Sequence, residues 1–471
     1  MQEDRYSYQP LWIVLCTLLV LVAIAFIPKK MLLKNGLKSV DLISDIRPIS
    51  ILAKRKKPIY LPTNASVVTQ IPLIEDSIIN PELISNLNGD STCSMNTFYK
   101  ALHEITHTKK KIRIAYFGDS VIEGDLITEN LRRLLQNKYG GRGIGFVPIT
   151  SAVASFRKTI VHQYDTKWTT HSLLNPKSKG SDCGISGYGF FAPVDSAATD
   201  STKLNYTWAK YWGVKNSVRL HQFETVKLYY SPSATKPSTA IFYNGKASTT
   251  FTLSGKNSVN EKILSTTTLL NTAQIGISSP SRQNIYGLSM ESDSGIFVDN
   301  FSLRGNSGML LSRLNVGMVR SFNDHLHYDL IVLHYGLNVL SSDLKVFNWY
   351  ERGMDKVIQN LKIACPKASI LLVGVSDKSS KVDGTFVTEP NLKYLLEAQY
   401  RIAKKNNIAF FNLYRGMGGE NTMVKWVEAD TALANKDYTH FNYRGAEKIG
   451  HLLYDWMTEN LHHYESKYGQ N

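Results

Sequence analysis

The apolar positions of this chain change their period along its length. Residues 11–27 are apolar without a single charge, and these 17 residues sit at the lower limit for a helix that crosses a membrane. Residues 28–95 are interrupted by Pro58, Pro62, Pro72 and Pro81, which predict a stalk with short ordered pieces instead of a long helix. A helix is then predicted at 96–107, an apolar strand at 112–117 and an amphipathic helix at 126–138, closed by Gly140 and Gly141. From 147 to 300 the pattern shifts to short alternating stretches, among them 218–221, 225–230, 240–243, 249–253 and 295–298. Asn-Gly, Ser-Gly and Ser-Pro pairs separate them, as in a β-sandwich or jelly roll. After 300, uniformly apolar strands at 328–334, 368–374 and 408–413 alternate with helices at 350–364, 392–405 and 444–461. Strands apolar on both faces belong to a parallel sheet covered by helices on each side.

The expected fold class is α/β: a three-layer α/β/α domain with a parallel sheet, interrupted by an all-β, jelly-roll-like domain, behind an N-terminal transmembrane helix. The expected bounds are 1–28 for a cytoplasmic tip and anchor, 29–95 for a basic stalk and 96–148 for the first part of the α/β domain. The insertion takes 149–300, the second part of the α/β domain 301–464, and a tail 465–471.

Composition changes this picture in one respect. The formal net charge of +15 invites a nucleic-acid reading, but the charge is concentrated. Lys29, Lys30, Lys34, Lys38, Arg47, Lys54, Arg55, Lys56 and Lys57 stand against only Asp41 and Asp45, about half of the excess in one short segment. A basic run beside an apolar segment suits a membrane surface, and the rest of the chain carries no nucleic-acid module. Pro28-Lys29-Lys30 stands where a signal peptide would have a small-residue cleavage site, so a retained anchor is expected. The excess of cations after the anchor would by itself hold the following domain in the cytoplasm, a rule that weakens for long domains. Cys16 falls in the anchor. Cys93, Cys183 and Cys365 lie far apart, with no zinc spacing and room for one disulfide at most.

The candidate chemistry begins at Gly118-Asp119-Ser120, where the first apolar strand ends. A serine at the exit of a buried strand, just before a helix, presents its hydroxyl at the mouth of a site. Far downstream, Asp437-Tyr-Thr-His440 supplies a carboxylate and an imidazole from one loop, the remaining parts of a nucleophilic triad. Gly336-Leu-Asn338 follows the second apolar strand, and a side-chain amide there can donate to an oxyanion. Leu303-Arg-Gly305-Asn-Ser-Gly308, at the end of the β region, offers a glycine N–H where backbone must approach a substrate.

In this order the four blocks resemble the SGNH (GDSL-type) hydrolase family over about 110–148 and 301–460. The resemblance implies Ser120 as nucleophile, His440 as base and Asp437 as its orienter. It also implies an oxyanion hole made by the Ser120 N–H, the Gly305 N–H and the Asn338 amide. Val339 departs from the acidic residue often found after that asparagine. A β domain between the serine and glycine blocks looks like the peptidoglycan O-acetylesterases, where a carbohydrate-binding-like module occupies that place. Asp119, Asp377 and Trp426 are the candidate substrate contacts, with Trp426 either a sugar platform or a core tryptophan.

Three other signals are set aside. Gly141-Arg-Gly-Ile-Gly145 follows a helix instead of a strand, His325 and His327 lack further ligands at metal spacing, and Glu123 and Asp125 suit the start of a helix. The expected activity is removal of O-acetyl groups from a peptidoglycan or other envelope glycan through an acyl-serine, with no cofactor and no nucleic-acid partner. The resemblance and the anchor together imply an inner-membrane protein with a periplasmic catalytic domain. A glycan O-acetyltransferase with the same triad and a non-catalytic glycan-binding protein are the alternatives.

Overall fold

The computed structural model describes residues 94–468, apart from 106, 179, 196–204, 216, 245–246 and 342–343. The expected anchor, the stalk, Cys16 and Cys93 therefore lie outside the described residues. No described helix is long and apolar enough to cross a membrane.

The central sheet has five parallel strands: β1 (Lys111–Gly118), β2 (Gly295–Ser302), β3 (Leu330–His334), β4 (Ser369–Val373) and β5 (Ala409–Phe411). Their spatial order is β2-β1-β3-β4-β5. β3 and β4 are buried at every position, which explains why the sequence shows no polar alternation there. Each fully buried aliphatic side chain contributes about 1.5–3 kcal/mol, so these short strands are secured by their layers more than by their ladders.

Helices α1 (Asn96–Ile105), α2 (Thr128–Tyr139) and α6 (Tyr443–Tyr468) pack together, as do α3 (Val316–Leu326), α4 (Asn348–Ala364) and α5 (Leu392–Asn406), giving the two outer layers. In α4, Tyr350, Met354, Val357, Ile358 and Leu361 form the buried stripe that a 3.6-residue period requires. Asn315 starts α3 by accepting the Met318 N–H at 3.0 Å.

Between α2 and β2 the chain builds two antiparallel sheets. One joins Asn260–Leu270, Phe223–Tyr230, Ile285–Glu291, Tyr188–Phe191 and Thr169–Ser172, with Gly145–Val147 beside Ile285–Glu291. The other joins Ile160–Tyr164, Thr207–Gly213, Thr272–Ser278, Thr239–Asn244 and Ala247–Thr252. A shared core between them, including Val226, Leu228 and Ile285 from one and Ala209, Phe242 and Ile275 from the other, makes this a sandwich.

Two expectations change here. The stretch 295–298, read as part of the insertion, is the edge strand of the parallel sheet, so the insertion ends before 300. Residues 218–221 form a turn, with Val218 at the surface.

The sandwich is joined to the α/β domain through a common core. Phe146, Leu173, Cys183, Ile185, Tyr229 and Tyr286 belong to the same apolar cluster as β1 and β3. Beside them a buried guanidinium, Arg113 on β1, is bonded to Asp299 on β2 at 2.9 Å and to Glu291 of the sandwich. Cys183 and Cys365 are both buried thiols.

Candidate active site

In an open parallel sheet of order 2-1-3-4-5, ligands bind beyond the carboxyl ends of the strands where the order reverses, here between β1 and β3. Ser120 follows β1 and Asn338 follows β3, so two separately chosen residues meet at that crevice. Ser120 precedes a helix, as its sequence suggests, but at a short distance. It opens a short 3-10 turn, Ser120–Asp125, and α2 begins only at Thr128.

The Ser120 Oγ and His440 Nε2 are 2.8 Å apart, and His440 Nδ1 is 2.8 Å from Asp437 Oδ2. A carboxylate at Nδ1 requires that nitrogen to carry the proton, which leaves Nε2 as the acceptor for the serine hydroxyl. The other Asp437 oxygen accepts the amides of Thr439 at 3.0 Å and His440 at 2.9 Å. Burial opposes the charge on Asp437, but the His440 and Thr439 hydrogen bonds outweigh it and hold this carboxyl below its ordinary range. Ser120 is nearly buried at 8% exposed, while the side chains of His440 and Asp437 are 31% and 50% exposed.

The loop that carries Asp437 and His440 is held by Tyr438, one of the two residues between them. Tyr438 adopts φ +54°, an unusual backbone state for a side chain of this size. Its ring lies flat on Phe386, with centroids 3.6 Å apart and planes within 9°. Its carbonyl accepts the Ser379 N–H at 3.0 Å, and its hydroxyl donates to Glu428 at 3.3 Å. Ser379 and Phe386 belong to a hairpin, Ser379–Val382 with Thr385–Thr388, that follows β4. Periodicity gave no signal for this support.

The expected oxyanion residues are arranged as follows. Gly305 is exposed at φ +73°, with open space on the side where a Cβ would stand. The Asn338 amide nitrogen donates to Asp119 Oδ2 at 2.8 Å and, at a longer 3.2 Å, to the Asn306 carbonyl.

The three expected substrate contacts are all internal. Asp119 is 1% exposed; it receives the Val121 N–H at 3.1 Å and orients Asn338. Burial pushes its carboxyl up to about 6, against those two hydrogen bonds. Asp377 is fully buried and receives Thr388 Oγ1 at 2.8 Å and the Met423 N–H at 2.7 Å, so it ties the hairpin to the helix Thr422–Glu428. Trp426 is a core tryptophan packed near Phe441, with no free face for a sugar. In each case the residue type fits both a ligand contact and a buried anchor, and only burial separates them.

Glu123 and Asp125 do not open a helix. Glu123 pairs with Arg304 at 2.7 Å, while Asp125 is a buried carboxylate facing Arg157 of the insertion. Burial works against its charge, yet Arg157 and Arg132 hold it well below the carboxylate range. Among the described residues, no group of three or more His, Cys, Asp or Glu side chains is gathered as a metal site would need.

A scan of protein-family models and a search of curated proteins find no match to this chain. Solved structures do match. One described as a peptidoglycan O-acetylesterase in action aligns at TM-score 0.63 and 20% identity, over 80% of this chain and 98% of that one. An acetyl xylan esterase aligns at TM-score 0.26 and 16% identity, over 34% and 81%. A family two carbohydrate esterase from Cellvibrio japonicus aligns at TM-score 0.25 and 8% identity, over 64% and 98%. The chain shares the fold of that peptidoglycan O-acetylesterase structure, a parallel-sheet α/β domain interrupted by a β-sandwich. Its architecture follows that structure along most of both chains.

Proposed function

We propose that this protein is a serine esterase that removes O-acetyl groups from an envelope glycan, anchored in the inner membrane by residues 11–27 with its catalytic domain in the periplasm. The observation that carries the reading is the unbroken relay from Ser120 Oγ through His440 to Asp437 at the sheet's switch point. The match to a peptidoglycan O-acetylesterase structure supports the choice of a glycan ester.

His440 Nε2 takes the Ser120 proton as Oγ attacks the acetyl carbonyl. The oxyanion is received by the N–H groups of Ser120 and Gly305 and by the Asn338 amide, which exchanges its longer bond to the Asn306 carbonyl for the developing charge. Protonated His440 then gives its proton to the departing sugar oxygen, leaving acetyl-serine. Water, deprotonated by His440, attacks the acyl carbon; collapse releases acetate and returns the proton to Oγ.

The test is acetate release from O-acetylated peptidoglycan, with Ser120→Ala as control. The alanine variant should lose activity by about 10⁴-fold or more. Undiminished release by that variant would eliminate the acyl-serine mechanism.

A further inference from the structure

Residues 156–159 of the insertion reach the catalytic loops. Arg157 Nε donates to Asp125 Oδ2 at 2.7 Å, and Thr159 Oγ1 donates to the same oxygen. Asp125 closes the turn that Ser120 opens, so this pair fixes the segment against the nucleophile loop. Phe156 comes immediately before it. Its ring fills the space over Gly124, at φ +65°, where any Cβ would collide with it. The ring also stacks on Tyr443, with centroids 5.5 Å apart and planes at 30°. Tyr443 stands three residues after His440, and its hydroxyl donates to the Phe156 carbonyl at 3.0 Å. Lys158 Nζ lies 3.4 Å from the centre of the Tyr443 ring.

Phe156 is thus held between the loop of the nucleophile and the loop of the base, yet it remains 43% exposed. A phenyl ring left in water forgoes burial, and stability alone gives no reason to fix it in place. A rigid, open aromatic ring at the rim of a site has little conformational freedom left to lose when a ligand covers it. The face of a pyranose that carries C–H groups is the complementary surface, since aromatic rings combine apolar area with a negative face.

We propose that Phe156, backed by Tyr443, is the platform on which a pyranose ring of the acylated glycan stacks while its ester reaches Ser120. This rests on the esterase reading above and supplies its substrate-side contact. It also gives the insertion a part in substrate choice through a residue only a few positions into it.

The test compares wild type, Phe156→Leu and Phe156→Tyr on O-acetylated peptidoglycan and on p-nitrophenyl acetate. Leucine keeps apolar packing over Gly124 without the flat face, and tyrosine keeps the face. Phe156→Leu should lower kcat/KM on the polymer about fivefold or more beyond its effect on the small ester, mainly through KM, and Phe156→Tyr should recover it. Equal losses on the two esters, or a loss that tyrosine does not recover, would overturn the platform. A second arm does not depend on catalysis. Ser120→Ala and Ser120→Ala/Phe156→Leu are titrated calorimetrically with deacetylated peptidoglycan fragments. Binding weakened about fivefold in the double variant supports the platform, and equal affinities refute it. Absence of Ser120-dependent turnover on both esters, with binding still sensitive to Phe156, would reject the esterase and keep the platform.

Discussion

Arg157→Ala removes the principal counter-ion of a carboxylate that has almost no contact with water. Asp125 is 1% exposed and the Arg157 side chain 6%. After the substitution Asp125 keeps Thr159 and Thr128 as donors, and Arg132 with Nη2 at 3.6 Å. Removing one partner of a buried ion pair costs about 3–5 kcal/mol, chiefly because the other charge is stranded. With these partners surviving, the loss should lie at the low end, about 3 kcal/mol. Removing both groups in Arg157→Ala/Asp125→Ala strands no carboxylate, so the double variant should be about 1–3 kcal/mol more stable than the single losses summed. The readout is urea denaturation followed by circular dichroism, with both midpoint and slope compared. Asp125 has its carboxyl lowered on folding, so its stabilisation is present above the unfolded value of about 3.9 and fades as pH falls through the folded value. The Arg157→Ala deficit should therefore be full at pH 7 and shrink below about pH 4. A deficit under about 1 kcal/mol at pH 7, or one unchanged at pH 3, would refute the reasoning.

Two further outcomes follow from the site. Asp119 titrates near 6 in the folded protein, above its unfolded value, so wild type should lose stability relative to Asp119→Asn as pH rises from about 4 to 6. The change should reach about 3 kcal/mol at most, read from paired denaturation curves, and a flat difference would contradict a buried, reluctant carboxylate. Phe386→Ala removes the ring beneath Tyr438 and should lower kcat about tenfold with little change in KM, because it frees the triad loop without touching substrate. A rise in KM at constant kcat would instead make Phe386 a substrate contact.

The hydrogen-bonded set of Ser120, His440 and Asp437 was legible because each of its parts carries a local mark. Ser120 ends an apolar strand, and Asp437 and His440 share one loop at a spacing of three. The strands of the central sheet were legible for a related reason, since burial on both faces leaves no polar position to confuse the period. Asp119 and Asp377 were expected at the substrate and are buried, and Trp426 was left between platform and core, because a carboxylate or an indole looks the same in a chain whether it meets a ligand or a neighbouring loop. The supporting residues left no mark at all. Phe386 lies more than 50 positions before Tyr438, and Arg157 comes from a different domain than Asp125.

By itself the sequence determined the alternation of strands and helices, the interruption by a β domain and the choice of Ser120, Asp437 and His440 as candidates. These depend on residue type and near-neighbour spacing, which hydrophobic periodicity and strand ends record directly. The tertiary structure alone decided that 295–302 completes the parallel sheet, that Asp119 faces Asn338 instead of substrate, and that Phe156 stands open between the two catalytic loops. Burial and charge pairing are properties of what surrounds a side chain, and those surroundings come from segments that meet only when the chain has folded.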